Sequence, residues 1–244
     1  MRNRITLIAL LIAHTAQAAA TFGGRCDTWI STNVSSATTI WTITNGVSSG
    51  KVAVLFLGWE ASSKTISSII DSKTNTWVVN QQRNVSTVHN AGIASSVLSA
   101  TLVANDTITI TWNSAASFQN SGCLVWIDGA NRQPTVSDQT NNYGTAVSFS
   151  TVGKTNSGCV LALVNFEQDA TLSDETWSQS TPRQEFGHSD TTVGLVNYLF
   201  YTNSASTTDV SFSGTISDNK THIKIWAFYD YENPAPRYFN YRKP

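Results

Sequence analysis

Three pairs of aromatic residues in this chain are separated by the same interval of 100 positions. The pairs are Trp77 with Trp177, Trp112 with Phe212, and Trp126 with Trp226. Self-similarity at a fixed interval is typical of a structural unit that buries its apolar face only by packing against a second copy. We therefore interpret the chain as a tandem duplication, with halves of about residues 27–130 and 131–232, in which the paired indoles share one interior.

Alternating polarity predicts β-strands throughout the chain after residue 27. Residues 106–112 alternate isoleucine with threonine and end in Trp112, so they predict an antiparallel strand with one buried and one exposed face. Residues 52–59 and 160–166 are continuous apolar runs, typical of central strands covered on both faces. The predicted fold is all-β, an antiparallel β-sandwich or jelly roll built from two pseudo-symmetric halves, with residues 19–232 as one domain.

Residues 1–18 have the pattern of a secretory signal peptide. Arg2 and Arg4 are followed by an apolar stretch, residues 5–13, and by a small-x-small cleavage site at residues 16–18. The apolar stretch is too short to span a bilayer. We expect a secreted, extracellular protein; the alternative is that these residues are retained as a hydrophobic N-terminal arm on a virion surface.

The composition argues against several classes of function. Only 13% of residues are charged and the net charge is -1, so we expect no face that would hold a nucleic acid backbone. Three cysteines, Cys26, Cys123 and Cys159, allow one disulfide or three buried thiols, and their spacing does not match a zinc site. Apart from calcium, no cofactor is expected.

Residues 233–244 differ in composition from the rest of the chain. They hold three of its five prolines together with Tyr238, Phe239 and Tyr241. A Pro-x-Pro sequence cannot enter a central strand, so we expect an extended C-terminal arm. It is either a loose terminus or a docking arm that binds a neighbouring copy, in a homo-oligomer, or a partner surface.

Two acidic residues provide the one enzymatic hypothesis. Glu167 and Asp169 are two positions apart at the end of a predicted strand, which places them on one face about 6.6 Å apart along the backbone. Retaining glycosidases hold their two carboxyl groups ~5–5.5 Å apart. With Asp174 and Glu175, the same residues form an alternative calcium site. Because acidic residues are common at strand ends, we expect solvated loops and no catalysis.

Trp77 and Trp177 lie among polar residues, unlike the tryptophans of the apolar strands. Indole rings in such contexts bind sugars by stacking on them, and they also act as structural wedges. We therefore treat both residues as candidate ligand-binding positions, together with the three aromatics of the C-terminal arm.

Three segments carry a resemblance to a known group of proteins. They are D-S-K-T-N-T-W at residues 71–77, the strand at residues 99–112, and the apolar strand with its acidic turn at residues 124–129. Together they resemble an uncharacterised family of jelly-roll-like β-sandwich proteins that bacteria secrete or tailed phages carry. The family pairs a D-S-x-G-N-T-aromatic turn with such strands. In this chain Thr74 replaces the glycine of that turn. The resemblance implies a surface or virion protein and supplies no catalytic residue.

These patterns favour a non-catalytic, surface-exposed β-sandwich that acts in adhesion or assembly through glycan, cell-envelope or capsid contacts. One alternative is a phage virion decoration or fibre protein that keeps residues 1–18. The other is a jelly-roll glycoside hydrolase or lyase that uses Glu167 and Asp169.

Overall fold

The computed structural model describes residues 19–34, 36–60, 64–85, 90–114, 118–151, 157–167, 170–178, 183–190, 195–204 and 209–230. Every regular element within these ranges is a strand, and every strand pairing is antiparallel, which confirms the all-β prediction. The strands are β1 (Thr21–Val34), β2 (Thr38–Thr42), β3 (Val52–Trp59), β4 (Ile66–Asp71), β5 (Val78–Asn84), β6 (Asn90–Val97), β7 (Thr107–Trp112), β8 (Phe118–Asp128), β9 (Thr135–Ser150), β10 (Gly158–Glu167), β11 (Leu172–Trp177), β12 (Arg183–Asp190), β13 (Leu195–Ser204) and β14 (Ser211–Tyr229).

The first eight strands form two sheets. A five-stranded sheet has the order β1-β8-β3-β6-β5, and a three-stranded sheet has the order β2-β7-β4. A jelly roll places its eight strands in two packed sheets through two Greek keys. Here the strands divide five and three, with β5 beside β6, so the jelly-roll topology stays a prediction.

The last six strands repeat this arrangement with fewer breaks. Their order is β9-β14-β10-β13-β12, and β11 pairs with the start of β14. The two strand orders match if β9 corresponds to β1 and β2 together. In the same way, β14 corresponds to β7 and β8 together. The register of β9 with β14 shifts between Thr215 and Lys220. Such an irregularity bends a strand, which lets β14 belong to a large sheet and to its smaller neighbour.

The sheets stack in layers around three hydrophobic cores. Alternate residues of β3, including Val54 and Phe56, meet Leu161 and Leu163 of β10 in one core shared by the two halves. The other face of β3 packs on the small sheet of the first half, in a core that contains Leu55, Trp59, Trp112 and Ile110. The other face of β10 packs on the start of β14 and the end of β9, in a core that contains Val160, Phe166, Phe149 and Phe212. The small sheets are therefore the two outer layers.

Trp126 and Trp226 do not share one interior, so the prediction is wrong for this pair. Trp126 is half-buried at the rim of the first half's own core, where its ring lies across Gly23 and Gly24, and Lys51 Nζ is 5.4 Å from its ring centroid. Trp226 is 2% exposed within the second half's own core. Neither indole belongs to the core between the halves.

The interval of 100 positions is also not the interval between equivalent residues. The backbone N–H of Ile43 donates to Asp106 O over 2.9 Å, and the matching bond in the second half runs from Thr151 to Val210 O, also over 2.9 Å. Positions 43 and 151 differ by 108, and positions 106 and 210 differ by 104. The aromatic spacing indicated a repeat, but these equivalent residues are 104 and 108 positions apart and not 100.

Three further expectations concern the cysteines and the two ends of the chain. Cys26, Cys123 and Cys159 are buried free thiols, which decides between the two alternatives for them. The predicted signal peptide and C-terminal arm lie outside the described residues, and the predicted boundaries of the halves stay predictions. No helix with the length and apolar character needed to cross a membrane occurs in the described part of the chain.

Candidate functional site

The D-S-K-T-N-T-W segment is a turn organised around one carboxylate. Asp71 Oδ1 accepts the backbone N–H of Lys73 and Asn75 over 2.9 and 3.1 Å. Asp71 Oδ2 accepts Asn75 Nδ2 at 3.1 Å and the indole Nε1 of Trp77 at 2.7 Å. Thr74, at the centre of the turn, has a φ of 60°, which a β-branched residue rarely adopts. One carboxylate thus holds four donors of the turn in place.

A second carboxylate ties this turn to the start of β7. Asp106 accepts the backbone N–H of Val103 at 2.7 Å and Ser72 Oγ at 2.8 Å, and Lys73 Nζ lies 3.2 Å away. The hydrogen bond from Val103 lowers the pKa of Asp106, and Ser72 and Lys73 lower it further against the opposing effect of burial. The motif that carries the family resemblance is therefore a structural polar network.

Trp77 is held by this network. Its indole N–H donates to Asp71, and its half-buried ring packs against the first half's core. These contacts are those of a wedge between turn and core. The sugar-stacking role of Trp77 stays a prediction.

Most of the other predicted site residues lie outside the described part of the chain. These are Asp169, Tyr238, Phe239 and Tyr241, together with the side chains of Glu167 at the end of β10 and Trp177 at the end of β11. Asp174 is exposed with a φ of 57°, and Glu175 beside it is half-buried. Within the described ranges no three His, Cys, Asp or Glu residues are grouped as a metal site would require. The catalytic and calcium hypotheses stay predictions.

One surface built from described side chains is the outer side of the small sheet β2-β7-β4. The residues of β2 and β7 that do not enter the core alternate along each strand and point outward, and Ser68 and Ile70 of β4, with Ser72 directly after it, lie on the same side beyond an irregularity at Ser67. We call this surface the first hydroxyl face, and its nine residues form three cross-strand rows: Thr38, Thr111 and Ser68; Ile40, Thr109 and Ile70; and Thr42, Thr107 and Ser72.

The second half carries a corresponding surface. On β9, β14 and β11 the outward residues are again in three rows, which we call the second hydroxyl face: Ser150, Ser211 and Ser178; Ser148, Ser213 and Thr176; and Ala146, Thr215 and Ser173. All nine residues are exposed. Thr176 Oγ1 and Ser213 Oγ lie 2.7 Å apart, so neighbouring hydroxyls on this face bond to one another.

Both faces consist of uncharged residues, although a carboxylate contacts each face at its edge. None of their eighteen residues is charged, and fifteen of them are serine or threonine. Asp174, exposed between Ser173 and Thr176 of β11, accepts a hydrogen bond from Ser173 Oγ at 3.3 Å, and on the first face Ser72 Oγ donates to Asp106. Hydroxyl groups both donate and accept hydrogen bonds, and the pleat spaces them by about 4.8 Å across strands and ~6.7 Å along them. Such a surface matches a partner that is itself neutral and carries many hydroxyls.

The first face differs by two large apolar residues. Ile40 is 67% exposed and Ile70 is 59% exposed, and they flank Thr109 in the central row. An apolar patch between rows of hydroxyls suits the C–H faces of a sugar ring as well as its hydroxyls. The sequence predicted the threonine side of β7, but Ile40 and Ile70 were missed because their position follows from pairing with β7. The signal that could have found them is that each is adjacent to an apolar residue, Trp41 or Ile69, and adjacent residues of a strand point to opposite faces.

Buried cations in the described residues have structural partners. Lys64 Nζ donates to Ser114 O and lies 5.1 Å from the ring centroid of Phe118. Lys224 Nζ donates to Ser148 O at 2.8 Å. Burial lowers the pKa of both ammonium groups.

A crevice between the halves, lined by Phe56 and Leu163 among others, has no room for a water molecule. Neither feature offers a site as open as the hydroxyl faces.

Comparisons with known proteins identify no relative. No protein-family model, no curated protein and no solved structure matches this chain. Its function is therefore inferred from the geometry and chemistry of its own residues.

Proposed function

We propose that this protein is a non-catalytic contact protein that binds neutral polysaccharide through its hydroxyl faces, in adhesion to a cell envelope or a similar glycan surface. The observation that carries the proposal is the pair of uncharged, serine- and threonine-covered sheets that form the outer layers of the molecule. A secreted protein or a virion surface component would each present such faces to the same kind of partner.

Electrostatics supports a neutral partner over a charged one. An anionic polymer gains affinity from a surface rich in Lys and Arg, and a cationic one from carboxylates. The eighteen residues of the hydroxyl faces supply neither, and the two carboxylates that contact them, Asp106 and Asp174, lie at the edges of the faces. Their interactions are hydrogen bonds and apolar contacts, so we expect binding that is insensitive to salt.

The size of the faces supports a thin polymer over a protein partner. Three strands and two pleat repeats span roughly 10 by 13 Å, well below the ~800 Å² that each partner buries in a stable protein complex. A short stretch of one polysaccharide chain fits this area. A second copy of the protein would need a larger surface than one face provides.

The test is depletion of the purified full chain by insoluble polysaccharides. We expect retention on at least one of cellulose, chitin and β-1,3-glucan, no retention on acidic alginate, and no loss of binding in about 1 M salt, where the Debye length is ~3 Å. A double variant, Thr109→Glu with Ser213→Glu, places a charge at the centre of each face and should abolish binding.

Ser49→Glu adds one such charge at an exposed turn outside both faces and is the control for each single substitution. Thermal unfolding of each variant shows whether it is folded. The proposal fails if none of the neutral polysaccharides retains the protein, or if the folded double variant still binds. Release of soluble sugars from a retained polysaccharide, lost in Glu167→Gln, would replace it with the glycosidase hypothesis.

A further inference from the structure

We infer that one chain carries two independent polysaccharide sites that face in opposite directions, so that a monomer cross-links two surfaces. The inference rests on the proposed function and adds its valency and geometry. The two proposed sites are the two hydroxyl faces, each made of nine described residues.

The order of layers follows from which residues share a core. Val54 of β3 faces the shared core, whereas its neighbour Leu55 faces the core under the first small sheet. Leu161 of β10 faces the shared core from the other side, whereas its neighbour Ala162 faces the core of the second half. The large sheets are therefore central, and the hydroxyl faces point away from each other.

The separation of the faces excludes joint binding of one flat surface. Packed sheets lie about 10 Å apart, so four layers place the two faces ~30 Å apart. Sites at this distance, with no shared side chains, respond to substitution independently. Since the faces have opposite orientations, a chain bound to one flat surface through one face keeps the other free.

The two faces have the same arrangement of three paired strands, which supports two sites over one. Thr109 at the centre of the first face pairs with residues of β2 and β4, and Ser213 at the centre of the second pairs with residues of β9 and β11. The first face differs at its centre, where two isoleucines flank Thr109, whereas Ser148 and Thr176 flank Ser213. We expect the first face to bind more tightly because of its added apolar contact.

The experiment uses beads coated with whichever of cellulose, chitin and β-1,3-glucan retains the wild-type protein. The wild-type protein should aggregate the beads, seen by microscopy and turbidity. Thr109→Glu and Ser213→Glu should each still bind the beads, with capacity or affinity changed by about 2- to 10-fold, and should leave them dispersed. Ser49→Glu should aggregate them as the wild type does.

An equal mixture of the two single variants separates cross-linking by one chain from cross-linking by association of chains. It should leave the beads dispersed, because each chain keeps one working face. Aggregation by the mixture, or by either single variant, would overturn the inference in favour of self-association. Loss of all binding in one single variant and none in the other would leave one site and also overturn it. Failure of the proposed function looks different, because then the wild-type protein does not bind beads at all.

Discussion

The two halves of this protein reach the same strand order by different means. In the first half the small sheet is made of separate strands, and the turn after β4 is held by Asp71 and Asp106. In the second half β9 and β14 run through both layers, and the core beneath them holds a chain of aromatic contacts. The comparison shows that the order of strands does not depend on one particular set of stabilising contacts.

The aromatic chain of the second half is continuous. Phe212 lies 5.2 Å from Phe149 and 5.1 Å from Phe200, and Tyr198 lies 6.0 Å from Phe200 and 5.8 Å from Phe166, measured between ring centroids. Aromatic pairs at such distances stabilise a fold beyond the apolar area they bury. The first half has a shorter aromatic chain, Trp59–Trp112–Phe118, and its position 104 residues before Phe212 is Ile108, an aliphatic residue that is fully buried.

Phe212→Ala tests the aromatic chain and has the largest expected effect. Removing a buried phenylalanine ring costs about 3–5 kcal/mol of unfolding free energy, since the apolar contacts are lost and a cavity remains. Ile108→Ala is the matched change in the first half, with an expected cost of about 2–4 kcal/mol. Urea unfolding measures both. A cost below about 1 kcal/mol for Phe212→Ala would show that the aromatic chain is not what stabilises the second half.

Asp71→Ala tests the polar turn of the first half. Hydrogen bonds to a charged group contribute about 1.5–3 kcal/mol each and are not additive, so we expect a loss of about 2–4 kcal/mol. Asp218→Ala removes an exposed carboxylate from the second half and should change stability by less than about 0.5 kcal/mol. Equal effects of the two substitutions in urea unfolding would contradict the central role given to Asp71.

Acid should destabilise the network of the first half. The pKa of Asp106 is lowered in the folded protein, so its contribution is complete above its unfolded pKa of ~3.9 and is lost as pH falls through the folded value. The stability gap between the wild type and Asp106→Asn should therefore be wide at neutral pH and should narrow as pH falls toward about 2. Urea midpoints measured across this range provide the check. A gap that stays constant would mean that the charge of Asp106 does not stabilise the turn.

Thr74→Gly should be the smallest effect, and it is stabilising. Thr74 has a φ of 60°, where an L-residue with a branched side chain is strained by about 1–2 kcal/mol and glycine is not. Glycine loses more chain entropy on folding, so we expect a net gain of about 0.5–1 kcal/mol. Thr76→Gly, in the same turn but outside that φ region, should instead lose about 0.5–1 kcal/mol. A loss of stability in Thr74→Gly would show that this turn does not favour glycine.

The sequence predicted those strands whose buried faces follow from the polarity of adjacent residues. The alternation in residues 106–112 places the isoleucines of β7 inward and its threonines outward, as the structure shows. The apolar runs at residues 52–59 and 160–166 are central strands buried on both faces. In both cases the polarity of adjacent residues determines whether one face of the strand or both faces are buried.

The sequence did not reveal what depends on distant pairing. The fusion of two strands in β14 follows from a register shift against β9, and the exposure of Ile40 and Ile70 follows from their shared row with Thr109. The hydroxyl faces exist only once three strands stand side by side. The aromatic spacing misplaced the repeat because insertions of a few residues between strands shift the interval without changing the strand order.

Each half of the chain begins and ends on neighbouring strands. Thr21 pairs with Asp128 in the first half, and Thr135 pairs with Phe228 in the second. Arg132, in the connector 129–134, donates twice to Asp230 over 2.6 Å, so the end of the second half returns to the junction. A unit whose ends meet needs only a short connector to be joined to another of its kind. The geometry of the junction is thus compatible with circular permutation, and with chains built from more than two such units.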